Sequence, residues 1–190
     1  MGRKYWKIIE FFLKPLIFFL KLCPKCIIRL LYDFSSSIPT PVGLILRYCL
    51  LASKVNYIGS NVYIARWVTI KNMSGLTIGD NVSIHENCYI DAIGGVDIGS
   101  EVSIAHNSSI ISFEHAWNDS ATPIKYNSLV LKKISIAKDV WIGCGVRVLG
   151  GTIINTRCVI GAGSVVKGEL IAKSVYGGIP AKKIMEFNND

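Results

Sequence analysis

Isoleucine or valine returns every six residues through the middle of this chain. The positions run Ile58, Ile64, Ile70, Ile78, Ile84, Ile90, Ile98, Ile104 and Ile110, then, after a gap, Ile136, Ile142, Val148, Ile154, Ile160 and Val166. A period of six fits neither the helical 3.6 nor simple strand alternation; it is the mark of a hexapeptide-repeat parallel β-helix. Four residues after most anchors stands a second small or branched side chain, as at Val62, Val82, Cys88, Ser108, Val146, Thr152, Cys158 and Ser164. The pattern predicts short strands, three to a triangular coil, with the anchors pointing inward and stacking at roughly the 4.8 Å spacing of paired strands. Gly or Asp after an anchor is expected to serve the turn between faces. The steps of twenty from Ile58 to Ile78 to Ile98 predict two-residue insertions at corners, around Gly75–Leu76 and Gly94–Gly95.

Before the repeat the pattern changes. Residues 1–54 form an N-terminal helical extension, residues 55–171 the β-helix, and residues 172–190 a C-terminal tail. At 190 residues there is room for one core of about five coils. The formal charge is +8, and residues 1–54 hold nine Lys/Arg against Glu10 and Asp33, a net of +7; the remainder is 12 minus 11, or +1. The coil therefore carries no basic stripe for a phosphate backbone, which argues against a nucleic-acid partner. Within residues 1–35, Lys7, Lys14 and Lys21 recur at seven-residue spacing among Trp6, Phe11, Phe12, Phe18 and Phe19. No uncharged run approaches the roughly 20 residues of a spanning helix, whereas a basic face beside aromatic bulk suits a helix lying on a membrane surface. A helical hairpin packed on the coil or in a subunit interface is the alternative. Lys14 and Pro15 break the apolar stretch of a signal peptide, and Trp6 stands where a myristoylation site wants Ser or Thr. The six cysteines make no disulfide framework: Cys88 and Cys158 occupy inward repeat positions, and Cys23-Pro24-Lys25-Cys26 is a lone CxxC. A reducing compartment fits, and the expected location is the bacterial cytoplasm at the inner face of the membrane.

The repeat is interrupted once, at residues 111–135, by a loop long enough to suggest function. The chain has only His85, His106 and His115. His115 stands at the mouth of that loop and is the best candidate for a general base.

The run from Ile134 through Gly145, the segment Val159–Ile160–Gly161–Ala162–Gly163–Ser164–Val165–Val166, and Tyr176–Gly177–Gly178–Ile179–Pro180–Ala181–Lys182 together resemble the hexapeptide-repeat O-acetyltransferases, over about 130 residues in order. Within that family the sugar and polysaccharide enzymes look most similar. The resemblance implies a left-handed β-helix, a homotrimer with active sites between neighbouring β-helices, and acetyl-CoA as co-substrate, with no metal. It matches His115 to the family's loop histidine, which takes the proton from an acceptor hydroxyl. A backbone N–H near Gly143 or Cys144 matches the family's oxyanion site. Cys144 as nucleophile is the rival idea, but nothing near it in sequence would lower its pKa. For the acceptor, a sugar or glycan, the position of the family's asparagine holds His85, with Asn87 two residues on. For acetyl-CoA the resemblance points to Trp141, Gly143, Cys144, Ala162 and Lys167 along the groove and to Lys182 or Lys183 at the nucleotide phosphates.

Two other classes stay open at this point. A γ-type carbonic anhydrase shares the β-helix and binds zinc through three histidines, though the nine-residue step from His106 to His115 is not its spacing. A non-catalytic, membrane-associated scaffold is the other.

Overall fold

In the computed structural model, which describes residues 3–187, the anchors close into a left-handed parallel β-helix preceded by three helices. Every anchor but Ile58 on the first rung is buried, most of them completely. Each contributes about 2 kcal/mol of apolar burial, and because each sits directly over the one below, the stack forms a single core.

Three faces form. The first stacks Tyr57–Ile58, Leu76–Ile78, Val96–Ile98, Ile134–Ile136, Ile153–Ile154 and Glu169–Leu170. The second runs from Tyr63–Ile64 to Ser174–Gly177 in six parallel strands, and the third from Thr69–Lys71 to Val165–Val166 in five. The register is Ile58 on Ile78 on Ile98 on Ile136 on Ile154, so the two-residue insertions and the long loop leave the ladder undisturbed. There are five complete coils and two strands of a sixth. The coil thus continues past residue 171, where the sequence had suggested a tail. The chain then reverses at Gly178–Ala181, and Lys182–Glu186 pairs antiparallel with Ser174–Gly177. That strand covers what would otherwise be an open sheet edge.

The corners differ from expectation in one respect. At most turns the left-handed residue is the third after the anchor, as at Asn61, Asn81, Asn87, Asn107 and Gly145. The glycine directly after an anchor has another reason: a Cβ on Gly79 would meet the backbone nitrogen of Ser100 at 2.6 Å, and one on Gly99 the nitrogen of Lys138 at 2.7 Å. These positions are small because successive coils touch there.

Helices α1 (Arg3–Leu22), α2 (Lys25–Ser35) and α3 (Thr40–Ala52) cap the first coil. Pro24 and Pro39 stand at the N-caps of α2 and α3, where the missing N–H costs nothing. Arg47 of α3 is 3% exposed and donates to the carbonyls of Ile64, Ser35 and Ile38, so one guanidinium ties α2, α3 and the coil together. Glu10 of α1 accepts from Tyr48 Oη and Ser60 Oγ, at 3.0 and 2.6 Å. Lys54 Nζ donates to the carbonyls of Lys21 and Cys23 at the end of α1. Among the described residues no helix is long and apolar enough to cross a membrane.

Ile142 lies fully buried between Ile104 and Ile160. Ile142→Asp would place an unpaired charge in that stack, and it is expected to abolish the cooperative thermal transition seen by circular dichroism. Ile142→Val should cost only about 1 kcal/mol. A cooperatively folding Ile142→Asp protein would show that the anchors do not carry the fold.

Candidate active site

The interruption of the repeat is a hairpin on a closed neck. The chain leaves the coil at Ser112, which is fully buried, and returns at Lys132, whose N–H donates to the Ser112 carbonyl at 2.8 Å. Between them Phe113–His115 pairs antiparallel with Leu129–Leu131, with His115 opposite Leu129. The expected loop of residues 111–135 is therefore ordered at its base by strand pairing. At the tip, Asp119 accepts from the N–H of Ala121, and Asn127 donates to the carbonyl of Thr122. The Thr122 hydroxyl and the Ala121 N–H hold the Asp119 carboxyl below its ordinary range.

Glu114 was missed by sequence reasoning. Its carboxylate meets Lys132 Nζ at 2.6 Å and Lys167 Nζ at 3.2 Å, and the hydrogen bonds from these two lysines, Lys132 foremost, pull its pKa below the ordinary carboxylate range. The pairing clamps the strand that carries His115. It also engages Lys167, expected to line the cofactor groove, at the neck of the hairpin. His115 itself is exposed, with its ring 6.3 Å from Phe113 as its aromatic neighbour.

The other predicted residues lie elsewhere. His85, Asn87, Gly143, Cys144 and Ala162 all fall on the edge between the second and third faces, whereas the hairpin leaves the edge between the third and the first. One chain does not bring His115 into contact with any of them. Gly143 donates its N–H to the Ile160 carbonyl at 2.9 Å, so it is not the free oxyanion donor. Its place is steric: a Cβ there would meet the Ile160 oxygen at 2.7 Å. Among the described residues the Cys144 N–H has no acceptor, while its carbonyl receives the Gly163 N–H. Cys144 is the available donor.

His85 opens onto a cavity of about 380 Å³ with Trp6, Leu44, Asn61, Tyr63, Asn81 and Ser83. The Tyr63 and His85 rings lie 5.8 Å apart, and Asn61 and Asn81 are linked by an amide hydrogen bond of 2.8 Å. Trp6 is 2% exposed, yet its indole N–H finds no protein acceptor. The twenty-residue step between coils was the signal that could have placed Tyr63 and Ser83 in one column beside His85. Asn87 is exposed and adopts a left-handed φ of 59°, which the corner alone explains.

Trp141 is on the second face, 55% exposed, and lines a cavity together with the ion pair of Arg157 and Asp139. Lys183 is held by Glu186 at 2.6 Å, and that hydrogen bond raises its pKa. No carboxylate among the described residues pairs with Lys182. His106 shares an edge with His85, one coil above Glu86, and His115 is on another edge, so the three histidines do not converge.

This is a hexapeptide-repeat β-helix with an extruded histidine hairpin. Residues 133–168 match the bacterial transferase hexapeptide family (six repeats), and the chain resembles the O-acetyltransferases built on that repeat. It is 39% identical over 75 residues to a probable acetyltransferase of Mycobacterium tuberculosis, covering 40% of this chain and 25% of that one. It is 37% identical over 81 residues to a putative lipopolysaccharide biosynthesis O-acetyl transferase of Escherichia coli, covering 42% and 41%. The chain thus spans about two fifths or less of these relatives. Among solved structures, a galactoside acetyltransferase in complex with coenzyme A superposes with a TM-score of 0.75 at 24% identity, over 88% of this chain and 85% of that one. A hexapeptide-repeat acetyltransferase of Vibrio cholerae complexed with acetyl coenzyme A gives 0.75 at 23%, over 83% and 84%.

Because the folded-state pKa of Glu114 is depressed, the clamp is present above the ordinary carboxylate range and is lost as pH falls through the lowered value. Each of its two partly exposed pairs contributes at most about 1 kcal/mol. Glu114→Gln should therefore raise proteolytic nicking of residues 116–127 about two- to tenfold at pH 7. Wild type should show the same rise on acidification. Equal nicking rates in variant and wild type at pH 7 would remove Glu114 from the clamp.

Proposed function

We propose that this chain is an O-acetyltransferase that moves an acetyl group from acetyl-CoA directly to a hydroxyl of a surface-glycan sugar or its precursor, as a homotrimer at the inner face of the membrane. One observation carries the reading. His115 is presented on one edge of the prism and the free Cys144 N–H on another, so a base and an oxyanion donor meet only if a neighbouring copy supplies one of them. Two solved acetyltransferases that share the fold are complexed with coenzyme A or its acetyl ester, which supports the donor.

In this mechanism the neutral imidazole of His115 accepts the hydroxyl proton as the acceptor oxygen attacks the thioester carbonyl. The Cys144 N–H of the neighbouring copy stabilises the oxyanion that develops. The carbon–sulfur bond then breaks, and the departing thiolate takes the proton back from the imidazolium. No acyl-enzyme forms. The cavity beside His85 is suited to a sugar: Tyr63 offers a ring face, and Asn81 and Ser83 offer hydrogen bonds. Lys182, unpaired, is the better partner for a nucleotide phosphate than Lys183.

The membrane part of the reading rests on α1. Its packed side is formed by Trp6, Leu13, Ile17 and Leu20. Away from the core it exposes Phe11, Phe12, Phe18, Phe19 and Leu22, each more than 60% accessible. Helical spacing sets Lys14 and Lys21 along one border of that apolar arc, the arrangement of an interfacial helix.

His115→Ala is expected to lower kcat about 10²- to 10⁴-fold with the thermal transition unchanged. Near-normal turnover in the folded variant would exclude His115 as the base. Lys182→Glu should raise the KM for acetyl-CoA about tenfold while leaving that for the dephospho thioester nearly unchanged, and Lys183→Glu should do less. Equal effects on both thioesters would make Lys182 structural.

A further inference from the structure

A second cavity lies away from every residue assigned above. It measures about 210 Å³ and opens where the turn from α1 to α2 meets the first coil. Lys25 and Arg29 line it from α2, Lys54 from the segment after α3, and Ile70, Asn72, Met73 and Ser74 from the coil. Lys25 and Arg29 are four apart and so stand one above the other on a helix face. Three cations from two segments converge there, and no carboxylate lines the space.

The surroundings reinforce the sign. Among the described residues neither Lys25 nor Arg29 has an acidic partner, and Lys54 spends its hydrogen bonds on two carbonyls without neutralising its charge. The N-terminus of α2 has no side-chain cap, and the N–H groups of Lys25 and Cys26 find no acceptor among the described residues. These positive ends add to the same field. Of the acids near these segments, Asp91 of the coil is 6% exposed and is turned to Asn72 Nδ2 at 2.6 Å and the Ile93 N–H at 3.2 Å, and Asp33, one turn beyond Arg29 on α2, neither lines the cavity nor forms an ion pair with Arg29 among the described residues. The Ser74 hydroxyl is exposed and makes no hydrogen bond among those described. Nothing in acyl transfer uses any of these groups.

We propose that this cavity binds a phosphate group, with Arg29 and Lys25 as charged donors, Lys54 as a fixed positive neighbour and Ser74 as a hydroxyl donor. A phosphate offers the acceptor oxygens that a guanidinium fork and a hydroxyl match. The inference is independent of the acetyltransferase reading. The phosphate can come from two sources, a soluble phosphate ester or the headgroup of a lipid in the surface on which α1 rests.

The test uses the full-length protein, titrated calorimetrically with inorganic phosphate at constant ionic strength and sedimented with vesicles of phosphatidylglycerol or phosphatidylcholine. Arg29→Glu and Ser74→Asp bring a carboxylate in from opposite walls, and Lys138→Glu, on an exposed corner of the coil, controls for net charge. Both cavity variants are expected to weaken binding about tenfold or more relative to Lys138→Glu. If the loss is confined to inorganic phosphate, the ligand is a soluble phosphate. If it appears in sedimentation with phosphatidylglycerol, the ligand is a lipid headgroup. Should both cavity variants match Lys138→Glu in both assays, the proposal is overturned. Phe18→Glu with Phe19→Glu separates this site from the apolar arc: it should abolish vesicle binding and leave phosphate titration intact.

Discussion

Everything in this molecule hangs from the vertical stacking of inward β-branched side chains, one per rung, with backbone hydrogen bonds running from coil to coil. A dry stack of this kind tolerates no slip, because moving one rung by a residue would turn its anchor outward and expose it. The register therefore fixes which residues share an edge over five coils. That is how Glu86, His106, Cys144 and Ala162, far apart in sequence, come to lie along one line with His85 on the same edge, and why the glycines after Ile78 and Ile98 cannot be larger.

The same constraint explains where variation is allowed. Corners accept extra residues because the ladder resumes on the next face, as it does after Gly75 and Gly95, and the long hairpin is a larger instance of that rule. Its neck is closed by the backbone bond from Lys132 to Ser112 and by the double pairing of Glu114. Such a base can hold a histidine clear of the coil without loosening the core. A histidine held out from one edge, away from the amide that would complete its chemistry, is the feature that makes a site shared between copies the economical reading.

The period of six made the faces, the inward positions, both short insertions and the place of the long interruption readable from the sequence, since each depends on local repetition; the pairing that makes the interruption a hairpin was not. What escaped reading depends on contacts between distant residues. The sequence does not announce that Lys167 reaches Glu114 across the neck, that Lys183 is taken by Glu186, or that Lys182–Glu186 folds back to pair with Ser174–Gly177. Nor does it say which of two adjacent amides is spent: Gly143 donates to Ile160, while Cys144 is left over, a distinction visible only once the next coil is in place. Arg47 read as part of a basic extension, yet it is buried because three carbonyls at a helix–coil junction require a donor.

The proposal that base and oxyanion donor come from different copies of a trimer is tested most directly by mixing two variants. On that proposal His115→Ala lacks the base, and Cys144→Pro removes the free N–H without taking a ladder bond. Each should be inactive alone. Mixed in equal amounts, denatured and refolded together, they should regain about a quarter of wild-type activity, because random closed trimers place an intact His115 beside an intact Cys144 at about one site in four. Mixtures no more active than the separate variants would contradict the account.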